Sequence, residues 1–147
     1  MKDLFHCATI LSTSYYPLDE YEEKKLYIGL DCENNFEPTI HICANTRVGV
    51  KISHNLMKLL VDSNVNFDTL QTFMIENIKI TITGYCYQTY MVLEKNSSLV
   101  MLSKRQWNNF LRLQDRIVGN LNMLQQSNEF KSINKGECEI CHSKWIN

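Results

Sequence analysis

The strongest constraint in this chain is a pattern that recurs about fifty residues apart. Slid against itself by 50 positions, the sequence sets apolar residues on apolar residues without a gap. Ile28, Leu30 and Cys32 fall on Ile78, Ile80 and Ile82. Ile40 and Ile42 fall on Tyr90 and Val92, and Val50, Ile52 and Ser53 fall on Val100, Leu102 and Ser103. Met57 and Leu60 fall on Trp107 and Phe110. A period in this range marks a duplicated supersecondary unit, because one such unit cannot bury its apolar face alone.

Each copy reads alike. Leu26 to Cys32, Pro38 to Cys43 and Val48 to Ile52 alternate apolar and polar, as half-buried strands do. Ser53 then stops the alternation as a helix N-cap, and His54 to Val61 is a short helix. In the second copy, Lys79 to Tyr85, Thr89 to Glu94 and Leu99 to Leu102 are strands, with Asn96-Ser-Ser as a turn. Ser103 caps a longer helix from Lys104 to about Gln125. Its apolar residues Trp107, Phe110, Leu111, Ile117, Val118, Leu121 and Leu124 recur every three or four positions. Leu4 to Ser12 and Phe67 to Ile75 supply leading strands, and Asp19 to Lys25 reads as a solvated loop. The expected fold is α+β: two tandem antiparallel-sheet-plus-helix (ββββα) units, about 1–62 and 63–126, forming an intrachain pseudo-dimer. Residues 127–147 follow as a linker and a Cys-containing tail.

Composition sets outer bounds. The chain has 147 residues, 44% hydrophobic and 21% charged, which excludes wholesale disorder. No apolar run reaches the roughly 18 residues of a membrane span. The net charge of −1 hides an asymmetry: residues 1–37 hold three basic and eight acidic groups, whereas 95–147 hold eight basic and four acidic. A basic end fits an anionic partner, and it equally fits attraction between the two ends. Six Cys without a secretory leader pattern read as reduced and intracellular, nuclear or cytoplasmic.

The strand-to-helix junction resembles that of the positive-cofactor-four family of single-stranded-DNA-binding coactivators. The family pattern is a basic residue, any residue, Gly, aliphatic, any residue, aliphatic, then Ser or Thr, followed by Gln-Trp and Leu. The first unit reads Arg47-Val-Gly49-Val50-Lys51-Ile52-Ser53, then Met57 and Leu60. The second reads Leu99-Val100-Met-Leu102-Ser103, then Gln106-Trp107 and Phe110, with Ser97 and Leu99 in place of the basic residue and Gly. Residues 26–124 carry the resemblance, and the plant Whirly proteins are similar in holding two units in one chain. The resemblance implies a non-enzymatic binder of single-stranded DNA or RNA, associated with transcription or replication, in a host, a virus or a mobile element.

Unpaired strands are held by cations on phosphates and by flat side chains under bases, the latter worth about 1–3 kcal/mol per base. The resemblance puts Arg47 at the basic loop position and Trp107 at the helix position. Alternation turns Lys51 and Lys79 away from the core. Tyr85, Tyr87 and Tyr90 cluster near Lys95, and Tyr85 and Tyr87 share a face if the strand continues through Cys86. Tyrosines are also ordinary strand formers, and Trp107 has the spacing of a core residue. Arg105, Arg112 and Arg116 form a row along the helix that fits a partner or phosphate face, or a solvated one.

Cys138-Glu-Ile-Cys141-His142 has the spacing of half a zinc site, so zinc is the one cofactor the sequence suggests. A second chain or the opposite terminus would have to complete it. Neither phosphate loop, paired carboxylates nor catalytic triad pattern is visible, so no enzyme is expected. The alternative to nucleic-acid binding is a protein-interaction module on the same scaffold, with a homodimer as one form of it.

Overall fold

The computed structural model describes residues 10–44 and 49–134, with side chains for 14–44 and 49–126. Among the described residues, eight strands and three helices fall in two like runs, each of four strands followed by helix. β1 (Ile10–Pro17), β2 (Lys24–Asp31), β3 (Glu37–Ala44) and β4 (Gly49–Ile52) lead into α1 (His54–Asp62). β5 (Gln71–Ile75), β6 (Ile78–Tyr85), β7 (Gln88–Lys95) and β8 (Ser98–Ser103) lead into α2 (Lys104–Arg112) and α3 (Gln114–Asn134). Each run of strands forms an antiparallel meander in sequence order, β1-β2-β3-β4 and β5-β6-β7-β8. The fold is therefore α+β, built from two ββββα units.

The duplication is visible in the register. One core row crosses the first sheet as Tyr16, Leu26, Ile42 and Val50; its counterpart is Phe73, Ile80, Leu93 and Val100. The next row is Ser14, Ile28, Ile40 and Ile52, matched by Gln71, Ile82, Met91 and Leu102. The gapless offset of 50 therefore holds from β4 onward (Val50 to Val100). It becomes 51 at β3 (Ile42 to Leu93), 54 at β2 (Leu26 to Ile80) and 57 at β1 (Tyr16 to Phe73). The cause is turn length. Asp31 and Glu37 close a five-residue loop, while Tyr85 and Gln88 close the two-residue turn Cys86-Tyr87. This corrects the match of Ile40 and Ile42 with Tyr90 and Val92: an odd shift exchanges the faces of a strand. Met91 and Leu93 are buried there, and Tyr90 and Val92 lie on the opposite face.

The helices tie the units together. Ser53 and Ser103 both cap as expected, accepting from the N–H of Leu56 and Gln106 at 3.1 Å. Gln106 returns a bond to the Ser103 N–H, completing a capping box that Leu56 cannot make. α1 packs on β3 and β5, α2 on β7 and β8, and α3 crosses back onto β2 and β3, while β4 and β8 touch. Helices from each half thus reach the other half's sheet, and one core of Leu, Ile, Met, Phe and Trp runs through both. Each fully buried Leu or Ile contributes about 1.5–3 kcal/mol.

Several element boundaries differ from the sequence expectation. The first described strand, Ile10–Pro17, runs five residues past the expected end at Ser12, the expected residues 4–9 lying outside the described ones, and β2 already begins inside the expected acidic loop. β5 begins at Gln71, not Phe67. The long helix breaks at Leu113, whose N–H bonds to both Asn109 and Phe110 carbonyls. α3 then continues to Asn134, through the stretch expected as a linker.

Candidate nucleic-acid interface

The residues singled out from sequence separate into four places. Tyr85, Tyr87 and Tyr90 stand at the β6–β7 end of the second sheet. The strand stops at Tyr85, so it and Tyr87 do not share a strand face. Cys86 and Tyr87 instead form a two-residue turn with φ of 50° and 65°, the backbone of a tight I′-type hairpin. The turn throws the rings outward: Tyr85 is 63% exposed and Tyr87 fully so. Tyr90 lies on the same open face as Tyr85, directly across from Ser103, and donates to Gln88 Oε1 at 3.2 Å. Beside them is a concavity of about 420 Å3 lined by Phe67, Asp68, Gln88, Thr89, Ser103, Lys104 and Arg105.

Lys104 was not among the sequence candidates. It is the first residue after the Ser103 cap, exposed at the start of α2 and in the lining of the concavity. The signal was present in the cap itself. Arg105, from the expected helix row, shares this rim and pairs with Glu20 at 3.0 Å. Arg112 is turned along the helix to Asn109 Oδ1 at 2.7 Å, and Arg116 is exposed on α3, beyond the break at Leu113. The three arginines therefore lie on two helices, not one row.

Lys51 and Lys95 meet at the seam between the units. Lys51 reaches Asp31 at 3.2 Å and Glu33 at 3.6 Å, so its charge is already matched. Lys95 donates to the Lys51 carbonyl at 2.9 Å. Burial, and then the neighbouring Lys51, hold the Lys95 ammonium below its usual pKa, against the pull of Asp31. This pair joins the halves and leaves little for phosphates. Lys79 is exposed on the open face of the second sheet, directly across from Glu94.

Trp107 is corrected from ligand contact to core. It is only 4% exposed and stacks on Phe110 with centroids 5.1 Å apart, so it has no face to offer a base. Arg47 lies outside the described residues, as do Cys138, Cys141 and His142, so the zinc expectation has no placed ligands. Of the described cysteines, Cys43 is buried, Cys32 partly so and Cys86 exposed.

The first sheet carries an aromatic cluster the sequence did not reveal. Tyr15 and Tyr27 are cross-strand partners with rings 5.3 Å apart, and Lys25 lies 5.7 Å from the Tyr15 ring. Burial, and then a hydrogen bond to Glu22, push the Tyr15 hydroxyl up to about 12. His41, next in that row, is outward by alternation yet only 2% exposed, and its Nδ1 has no partner among the described residues. The bulged pairing of β1 with β2 hid this cluster, since nothing local sets Tyr15 opposite Tyr27.

No protein-family model, curated protein or solved structure matches this chain. Among the described residues, no helix is long and apolar enough to cross a membrane.

Proposed function

We propose that this chain is a non-enzymatic module that binds unpaired DNA or RNA at the β6–β7 end of its second sheet. Bases stack on Tyr85, Tyr87 and Tyr90, and phosphates meet Lys104 and Arg105. One observation carries the reading: two fully or largely exposed tyrosine rings stand on the hairpin whose Gln88 and Thr89 line a concavity that also holds Lys104 and Arg105, with Asp68 as its one carboxylate. Stacking is sequence-tolerant because every base has a π-face, so such a site reads strandedness rather than sequence. The turn geometry supports it too. A bulky ring at φ 65° costs roughly 1–3 kcal/mol relative to relaxed backbone, and nothing in the core benefits from its position. Kinship with the positive-cofactor-four and Whirly class belongs to the same proposal and rests on the Arg47-to-Ser53 and Leu99-to-Trp107 segments.

The test is fluorescence anisotropy with a labelled single strand across a salt series. Two phosphate contacts predict a log–log salt slope of about −1.4. Replacing Tyr85 and Tyr87 together by Ala should weaken binding about tenfold or more while leaving the thermal melt unchanged. Absence of binding at about 50 mM salt, or equal binding by the double variant, overturns the proposal.

A further inference from the structure

Each sheet has one outer edge, β1 in the first and β5 in the second, because β4 and β8 meet at the seam. A free edge presents unpaired N–H and C=O groups to any other strand, and proteins normally guard it. β1 is guarded twice: its register shifts between Ser12 and Ser14, and it ends in Pro17. The register-equivalent of Pro17 in the second sheet is Met74, by the same offset that takes Tyr16 to Phe73. β5 reads Gln-Thr-Phe-Met-Ile: five residues with no charge, no Pro and a continuous register with β6. Met74 is 60% exposed and the adjoining Leu70 68%. Among the described strands β5 pairs with β6 alone. Among the described residues, the duplication has thus left one edge blocked and its twin open.

We propose that the outer edge of β5 pairs antiparallel with β5 of a second copy of this chain. A twofold axis at Phe73 sets Thr72 of one copy across from Met74 of the other, and Gln71 across from Ile75. The strand is self-complementary in the sense that matters for an edge: no like charges meet, and each apolar or uncharged polar side chain finds an uncharged one across from it. The join makes one eight-stranded sheet with both open faces on the same side. Five residues a side bury less than the roughly 1,200 Å2 of a stable standard interface, so the dimer is weak and concentration-dependent.

Sedimentation equilibrium on the full chain tests this, independently of any nucleic acid. The average mass should climb from monomer toward dimer between about 1 and 500 μM. The double variant Thr72→Lys, Met74→Lys sets Lys across from Lys twice and should raise the dimer dissociation constant about tenfold or more. The partner variant Thr72→Glu, Met74→Glu should also be monomeric alone, and mixing the two should restore the dimer. That rescue separates charge repulsion from misfolding. A wild-type chain that stays monomeric throughout, Lys variants that dimerise as wild type does, or a mixture that stays monomeric overturns the proposal.

Discussion

The two sheets keep their inner rows and exchange almost everything on their outer ones. Tyr16, Leu26, Ile42 and Val50 become Phe73, Ile80, Leu93 and Val100, apolar for apolar, because both rows pack into one shared core. The outer row Tyr15, Tyr27, His41 and Lys51 becomes Thr72, Thr81, Val92 and Met101. One is aromatic and titratable, and its His41 is buried; the other is hydroxylic and apolar, and half exposed at Val92 and Met101. The first two turns of each unit diverge in the same way: those between β1 and β2 and between β2 and β3 are long and carry carboxylates, while those between β5 and β6 and between β6 and β7 have two residues. Interior packing constrains both copies alike, while turns and open faces respond to separate demands. The hairpin tyrosines Tyr85 and Tyr87 and the unguarded edge accordingly belong to the second unit, whereas the exposed tyrosines of the first, Tyr15 and Tyr21, lie on β1 and in the turn that follows it.

The comparison is tested most severely in the core. Met57 and Trp107 occupy equivalent helix positions, and both are buried. Trp107→Ala should lose about 3–5 kcal/mol and Met57→Ala about 2–5 kcal/mol in denaturant unfolding. A Trp107→Ala chain of near wild-type stability but weakened strand binding would return that ring to the ligand surface and break the equivalence.

A sharper contrast lies at the entry to the fourth strand of each unit. A Cβ on Gly49 would collide with the Ile42 carbonyl oxygen and come within 2.6 Å of Cys43 Cα, so β3 backbone would have to move. The equivalent residue is Leu99, which is exposed. Gly49→Ala should cost about 1–3 kcal/mol, whereas Leu99→Ala should stay within about 0.5 kcal/mol. Equal effects would mean that the two strand entries are packed alike, contrary to the close approach seen only at Gly49.

The same two positions show what sequence could and could not reveal. The strand-to-helix junctions were legible because cap, alternation and helix period are local, and they share one offset. The hairpins of the first unit were not, since a long loop adds residues without adding apolar signal. An even change, as at β2, keeps every residue on its expected face; the single extra residue before β4 flips β3 and hid the true partners of Ile40 and Ile42. Tyr85 and Tyr87 were found as a pair, but the turn between them was not: Cys-Tyr lacks the Asn or Gly that marks such turns. Lys51 and Lys95 looked like free cations because Asp31 and the seam lie far away in sequence. Burial of Trp107 follows from packing that its helical spacing already suggested.

The smallest expected difference separates the two opening turns. Asp19 accepts N–H bonds from Tyr21, Glu23 and Lys24 at 2.9, 2.9 and 3.0 Å, and one from Gln106 Nε2 at 2.8 Å. Burial pushes its pKa upward, but these donors outweigh burial and hold it below the ordinary 3.8. A lowered folded-state pKa means stability that is present above the unfolded value and is lost as pH falls through the folded one. The second unit turns through Glu76 and Asn77, where Glu76 is exposed. Asp19→Asn should therefore cost about 1 kcal/mol near neutrality and flatten the acid limb of a stability-against-pH curve. Glu76→Gln should change neither by more than about 0.5 kcal/mol. An acid limb left intact by Asp19→Asn would show that this turn is held by its backbone alone, and that the two turns differ in length but not in charge dependence.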